Sequence, residues 1–441
     1  MFRRFKAKPK HIDMTQFTPL PEGGYLVGGA VRDTLLNCSF KDIDWLVNDP
    51  QQAAKNAAAQ LGGSLFALDE HRGHWRVVAG ETVRDYIRLE GRLEANLRER
   101  DFTINAMAAS LNGALIDPTS GLEDLRSKQI KMVSEPNIFG DPLRTLRGVR
   151  IANELGFNLE KNTLATFQNC AKKQLEGSLP LSAWERVREE LDALILSDNA
   201  GRGFARLASL GLTNVYLPEV THMKGVAQGG FHHLDVLEHS LEALNQLVQG
   251  FPEADLALRW ATLFHDTGKP DTKTYDESGR YYHFYGHDKL GAELVATALG
   301  RLRQPEKLCK RAAQLVRYHM VQLPKTEKSA RRFVHRRRDI LPDLLKLMIA
   351  DREAARGPLS SEGSRQQYRL ALGRVLEIMA ATPPKPPLLS GREIMAFLAL
   401  EQGPQVGKAV RFLKEAEAIG DVTTVAEAKT ALQTYARGQG W

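Results

Sequence analysis

One stretch limits the fold more than any other: Gly23–Asp44, GGYLVGGAVRDTLLNCSFKDID. Tyr25-Leu26-Val27 reads as a short strand, Gly28-Gly29 as a turn and Ala30-Val31-Arg32-Asp33 as a helix opening. A second strand, Asp-Ile-Asp-Trp-Leu-Val, then carries Asp42 and Asp44. Glycine lets backbone N–H groups approach an anion, and a helix N-terminus favours negative charge, so the unit is a phosphate cradle. Residues two apart on a strand share a face, which sets the two carboxylates side by side. Hard oxygen ligands of this kind suit Mg2+, which usually shares its coordination with substrate phosphates. Two such ions could clamp the attacking and leaving oxygens of a phosphoryl-type transfer. A Gly-Gly pair or an Asp-x-Asp alone is more often a tight turn or a surface acidic pair. In this order, about a dozen residues apart, they are far more specific.

The Gly-Gly-Ala-Val-Arg-Asp turn followed by Asp42-x-Asp44 resembles the signature of the class II tRNA nucleotidyltransferase and bacterial poly(A) polymerase superfamily. The resemblance implies nucleotidyl transfer, with Gly28, Gly29 and Arg32 at the nucleotide and Asp42 and Asp44 holding catalytic Mg2+.

A chain of 441 residues is too long for one ordinary core, and two to four domains are expected. With 43% hydrophobic and 26% charged residues it has the composition of a globular protein, and a net charge of +7 is compatible with a polyanionic partner. Cys38, Cys170 and Cys309 form no C-x-x-C pair, which argues against a disulfide framework or zinc knuckle. No apolar run approaches a membrane span, and the basic start MFRRFKAKPK, read as a frayed tail, has no apolar signal core after it. No membrane partner is expected, and the cytoplasm is the expected compartment.

Between about 20 and 135, short β-like runs (Val77-Val78, Val83 to Leu89, Ala114 to Ile116) alternate with helical ones such as Gln51 to Leu61. From Asp141 onward helical periodicity dominates, cut by turn signals at Pro218-Glu219, Gly225 to Gly230, Gly357-Pro358 and a Pro-rich linker, Thr382 to Pro387. The expected fold class is α+β: a nucleotidyltransferase α/β head, then an all-α neck, a body with an HD domain, and a tail. The boundaries expected are a basic extension at 1–20, head 21–135, neck 136–225, HD domain 226–356 and C-terminal helical RNA-binding part 357–441.

Within the head, Asp85 on the strand Val83 to Ile87 could be a third carboxylate, with Glu90 as the competitor, since a one-residue slip flips the face. Arg100-Asp101-Phe102-Thr103-Ile104-Asn105-Ala106 resembles the family's Arg-Arg-Asp-Phe-Thr-Ile-Asn-Ala motif, implying that Arg100, Asp101 and Asn105 contact the triphosphate and sugar; Glu99 stands where the family has its first Arg. Next comes Asp141-Pro142-Leu143-Arg144-Thr145-Leu146-Arg147-Gly148-Val149-Arg150. Asp141 reads as a helix N-cap, and Arg144 and Arg147 share a helix face. An Asp acceptor and an Arg donor can read the Watson–Crick edge of a base. The family's Glu-Asp-x-x-Arg motif serves that purpose; Asp141 and Arg144 match it, Gly140 stands in place of the Glu, and Arg147 and Arg150 extend the nucleotide-binding helix.

Which nucleotide is added turns on a segment between the central strand and the Arg-Asp-Phe-Thr motif. Only 11 residues, Leu89 to Glu99, lie there. In the resembling family, loss of a flexible loop at this place marks enzymes that add only two C residues. CTP is therefore the expected substrate at the tRNA 3′ end, with a separate enzyme adding the terminal A. Full C-C-A addition using ATP as well, or A or poly(A) addition, remains the alternative.

A second centre is expected at His239, His265-Asp266, His287, His319 and Asp351, which resemble the HD phosphohydrolase domain. In that resemblance His239, His265, Asp266 and Asp351 form the metal site, with His287 and His319 available to a second ion. Imidazole with carboxylate suits Ni2+, Mn2+, Co2+ or Fe2+. A degenerate, purely structural HD domain is the alternative, as is a chain whose main activity is hydrolysis. Lys328 to Arg338, KSARRFVHRRR, has six Lys/Arg in eleven residues; Arg331, Arg332, Arg336 and Arg337 there, and Lys408 and Arg411 near the C-terminus, are the expected tRNA contacts.

Overall fold

The computed structural model describes residues 11–40, 42–229, 232–275, 282–357, 359–384 and 386–441. The basic start at 1–10, Gly230 in the second turn cluster, Pro358 in the third and Lys385 in the Pro-rich linker lie outside these. The chain divides into two compact units, Met1–Pro218 and Glu219–Trp441.

The first unit is built on a seven-stranded sheet: β1 (Tyr25–Val27), β2 (Asp42–Val47), β3 (Ser64–Asp69), β4 (His74–Ala79), β5 (Thr82–Arg88), β6 (Ala108–Ser110) and β7 (Leu115–Ile116), in the order β3-β4-β5-β2-β1-β6-β7. Only β2 and β5 run parallel; the other pairs are antiparallel. Short β1 lies inside the sheet between β2 and β6, and Leu26, Val27, Trp45 and Tyr86 are buried around it. The Ala-rich helix Pro50–Leu61 starts where expected, because Asp49 accepts from the Gln52 N–H and Pro50 fills a position that needs no donor.

Residues 11–20 belong to the head rather than to a separate extension. Ile12, Met14 and Phe17 are buried, and the buried Arg84 donates to the carbonyls of Phe17, Thr18 and Pro19. Composition shows the basic residues of 1–10 but not that the apolar residues after them pack onto the sheet.

The rest of the first unit is helical apart from the short pair Gln129–Ile130 with Asn158–Leu159. Pro218-Glu219, a turn signal in the sequence, begins a short helix, Pro218–His222, with Pro at its first position. In the second unit, helices Val236–Gly250, Leu256–Phe264, His287–Arg301, Glu306–Tyr318 and Leu341–Ala354 surround a buried polar centre. After them, Gly391–Leu398, Pro404–Ile419 and Val425–Gly438 close a small core of Ile394, Ala409, Leu413, Ala428 and Leu432. Among the described residues, no helix is long and apolar enough to cross a membrane.

Candidate active site and metal centre

The turn between β1 and the helix Gly29–Leu36 depends on glycine. Gly28 has φ +76°, and a Cβ there would lie 2.9 Å from Asp44 Oδ2 and 3.0 Å from an Arg100 guanidinium nitrogen. Glycine, aspartate and arginine thus converge on one spot. Asp42 is exposed and Asp44 half-buried on the same face of β2, with Ile43 and Trp45 buried on the other. Burial pushes the Asp44 carboxyl up; Arg100 opposes this, and the charges of Asp85 and Asp42 add to it. Burial likewise lowers Arg100, against Asp44 and Asp101, which favour its charge. Negative charge gathered on hard oxygens, beyond what Arg100 balances, fits a divalent cation.

The parallel register sets Asp85 directly beside Asp44, while Glu90 is exposed past the end of β5. Both Asp85 oxygens are engaged by Arg76, at 2.7 and 2.8 Å, and His74 Nε2 lies 3.4 Å away. Arg76 and His74 were not legible as site residues: they lie on β4 and reach Asp85 only through the β4–β5 pairing.

A polar chain leads from the turn to the neck. Arg32 forks onto Asp33 and donates to Asn105 Oδ1 at 2.7 Å; Asn105 in turn donates to Asp101 Oδ1 at 3.1 Å. Arg147 lies 3.6 Å from Asp101 and donates to the buried Glu190 at 2.9 Å. Arg150 takes the other Glu190 oxygen at 2.7 Å and also binds Glu154. Burial works against the charge on Arg147 and Arg150, but Glu190, joined by Asp101 for Arg147 and by Glu154 for Arg150, outweighs it and raises both. Arg150 is therefore tied within the neck. Glu190, 40 residues further along, gives no sign in sequence of its part.

Asp141 does not cap the next helix. That helix runs Leu143–Leu155 with Pro142 at the N-cap position, and Asp141 accepts the Arg144 N–H through its backbone carbonyl. Its carboxylate instead meets Arg186 of helix Trp184–Leu196, at 2.8 Å to one oxygen. The proline places the cap one residue later and leaves the Asp141 side chain free to turn outward. Arg144 donates to the backbone carbonyls of Glu99 at 3.0 Å and Asn137 at 3.2 Å. Two carbonyls thus orient the arginine, while position 140, where the resembling family has a Glu, is Gly140 and offers no side chain.

The 11-residue segment before Arg100 is mostly the helix Leu93–Arg98. Leu93 and Leu97, one turn apart, are buried against Val27, Leu46 and Ala108 of the sheet.

In the second unit the HD residues come together. Asp266 is at the middle: His265 Nε2 lies 3.2 Å and His239 Nε2 3.8 Å from its Oδ2, and His287 and His319 Nε2 lie 3.5 and 3.6 Å from its Oδ1. Asp351 binds His239 at 2.9 Å and lies 3.7 Å from His265. The ligand atoms form two groups of three, His239-His265-Asp266 and Asp266-His287-His319, sharing Asp266. Gly268 makes this approach possible, since a Cβ there would lie 2.2 Å from the His287 carbonyl. His265, His287 and His319 each use Nδ1 on the carbonyl three residues earlier, so their Nε2 atoms face the centre.

Nε2 of His265 is buried and makes no hydrogen bond despite the nearby carboxylates. Burial disfavours the charged ring, yet Asp266 and Asp351 overcome it and push His265 up to about 10. Burial pushes His239 down and His287 to about 4. Asp266 and Asp351 stay well below the usual carboxylate range because the histidines, and Lys269 for Asp266, outweigh burial. The pair of carboxylates demands positive charge, and a divalent cation on imidazole Nε2 and carboxylate oxygens meets that demand. Lys269 adds an interaction not assigned from sequence: its Nζ is 2.7 Å from Asp266 and 2.6 Å from Gln228.

The basic helix Glu327–Arg337 is engaged within its own unit. Arg331 pairs with Glu327, while Arg332 and Arg336 both bind Glu415 of the helix Pro404–Ile419. Arg337 lies over the Tyr318 and Phe333 rings. Lys408 and Arg411 are exposed, with no ion pair among the described residues.

A cradle of Gly28, Asp42, Asp44 and Arg100 on a mixed sheet, in a chain that also holds an HD cluster, defines a nucleotidyltransferase with an HD domain. Family models agree: the poly(A) polymerase head domain matches residues 24–83 and 73–131, the probable RNA and SrmB-binding site of polymerase A matches 156–224, and the HD domain matches 221–356. An A-adding tRNA nucleotidyltransferase of Deinococcus radiodurans is 50% identical over 99% of both chains. A CC-adding tRNA nucleotidyltransferase of Thermus thermophilus is 45% identical over 97% of this chain and 96% of its own. The CCA-adding enzyme of Bacillus stearothermophilus in complex with CTP shares the fold, with TM-score 0.64 and 22% identity over 95% of this chain and 94% of that one. The chain belongs to the tRNA nucleotidyltransferase family.

Proposed function

We propose that this protein transfers C residues from CTP to the 3′ end of tRNA, releasing pyrophosphate, and that a separate enzyme completes the end with A. The convergence of Gly28, Asp44 and Arg100 carries the nucleotidyl-transfer reading. Asp42 and Asp44 would hold Mg2+, which when bound supplies Lewis-acid charge stabilisation for phosphoryl-type transfer. Arg100 offers fixed positive charge to the triphosphate. Asn105, held between Arg32 and Asp101, is placed for the sugar. Arg144, its guanidinium fixed by two carbonyls, and Asp141 present a donor and an acceptor to a base edge. Asp85, bound by Arg76, stands next to the acidic pair as a further carboxylate.

The pinned segment before Arg100 supports C addition alone: with Leu93 and Leu97 buried, it has no free lever to reset the base site. A addition is the second reading, favoured by the 50% identical A-adding relative. End-labelled tRNA ending at the discriminator base, and the same tRNA ending in CC, each incubated with Mg2+ and CTP, ATP or both, decide between them. Two additions from CTP and no third with ATP support C addition. Extension by ATP only of tRNA already ending in CC supports the second reading. A tRNA substrate and the cytoplasm as compartment go together.

The HD cluster supports a further activity, hydrolysis of phosphoesters with Ni2+, Mn2+, Co2+ or Fe2+; the two groups of ligand atoms that share Asp266 favour it over a structural role. Hydrolysis lost with EDTA and in His265→Ala or Asp266→Ala variants would support this. No hydrolysis with any of these metals would sink it.

A further inference from the structure

The acidic pair stands at one end of a row of side chains that crosses the sheet. In the strand register Asp44 lies beside Asp85, Asp85 beside Arg76 and Arg76 beside Phe66. Residues directly opposite one another share a face, so β2, β5, β4 and β3 set these four on the same side. The other side carries Trp45, Tyr86 and Val77, all fully buried. The helix Pro50–Leu61 packs against that side, where its Pro50 and Gln51 line a pocket with Trp75 and Arg88. On the side of the row, Leu93 and Leu97 cover Leu46. Phe66, at the far end of the row, is left 49% exposed. Arg76 gives Asp85 its Nε and one terminal nitrogen, at 2.7 and 2.8 Å. The other terminal nitrogen of Arg76 has no hydrogen-bond partner among the described residues, and the side chain is half-buried.

We propose that this row is the rest for the RNA 3′ end: Phe66 stacks on its unpaired terminal base, and the unused Arg76 nitrogen meets the last phosphate. The terminal hydroxyl is thereby held at Asp42 and Asp44. This rests on the reading of the tRNA 3′ end as acceptor and is indifferent to whether C or A is added. A lone exposed phenylalanine means little. This one lies three strand spacings, about 14 Å, from the carboxylate at which the acceptor hydroxyl has to react, on the same open face and with a guanidinium between. Stacking tolerates any base, which suits an end whose last base changes with each addition, and arginine beside an aromatic ring is the chemistry that holds an unpaired strand.

The full chain is assayed with Mg2+ on tRNA ending at the discriminator base with CTP, and on tRNA ending in CC with ATP. Phe66→Ala should raise KM for tRNA roughly tenfold, with kcat, the nucleotide KM and the urea midpoint held, and Phe66→Trp should restore the parent value. Arg76→Gln should lower the slope of log KM for tRNA against log salt by ~0.7, a change that Phe66→Ala does not make. A tRNA KM unmoved by Phe66→Ala, or a nucleotide KM moved as much, overturns the stacking; an unchanged salt slope in Arg76→Gln overturns the phosphate contact. tRNA carrying 4-thiouridine as its 3′-terminal nucleotide, crosslinked without nucleotide and mapped by mass spectrometry, tests the rest apart from the reaction. An adduct on Phe66 in a chain that extends only with ATP keeps the rest and removes C addition. Adducts elsewhere alone remove the rest, whichever nucleotide is added.

Discussion

Gly28 shows how far one residue is fixed by its surroundings. Its positive φ and the 2.9 Å approach to Asp44 both exclude a side chain. Gly28→Ala should cost ~1–3 kcal/mol in strain and lower kcat/KM for nucleotidyl transfer at least ~100-fold, as Asp44 and Arg100 are displaced from the acid-cation pair. Denaturation together with kinetics on the purified variant checks both. Cys170 makes a prediction of a different kind. Burial pushes its thiol up to about 11 from 9.0, so between those pH values the folded chain keeps a proton that the unfolded chain loses. Its contribution to stability is full below about 9 and is lost as pH rises to about 11, at ~1.4 kcal/mol per unit. Urea titrations across that window should show the parent losing more stability than Cys170→Ala. Sequence was sufficient for Asp42 and Asp44, because the period of a strand alone decides that they share a face. It was silent on Arg76, Arg186 and Glu190, whose partners lie across strand pairing or 40 and more residues away.

Among elements, the helix Leu93–Arg98 governs the proposed nucleotide choice. Leu97 is fully buried, and Leu97→Ala should destabilise the head by ~2–5 kcal/mol, measured as a lower urea midpoint. If the pinned helix fixes the base site, the same variant should also admit ATP more readily relative to CTP. A variant that loses stability with the CTP preference unchanged would separate packing from selection. The length of this segment was legible, but its anchoring was not, since six residues with two leucines do not specify which surface will bury them. The same holds for the helix Glu327–Arg337. Its charge reads as an RNA surface, while folding brings Glu415 against Arg332 and Arg336 and uses two of those charges to dock a neighbouring helix.

For the molecule as a whole, each unit carries one centre, an acidic pair with a glycine turn in the first and an HD cluster in the second. Exposed Lys408 and Arg411 are the better candidates for binding the RNA backbone, since no ion pair within the described residues engages them. Lys408→Ala with Arg411→Ala should weaken tRNA binding and lower the slope of log affinity against log salt by ~0.7–0.9 for each phosphate that is no longer neutralised. Filter binding at several salt concentrations reads this, and an unchanged slope would assign RNA binding to another surface. The sequence by itself determined the class of chemistry: glycine pair, Asp-x-Asp and His-Asp doublet are local patterns whose geometry follows from a turn, a strand and a helix end. Only the tertiary structure decided which charges are spent inside the protein, with Arg147 and Arg150 on Glu190, and how Asp266 comes to link two groups of histidines. Those pairings depend on which helices pack together, and the close approach at Gly268 that permits the last of them exists only once the chain is folded.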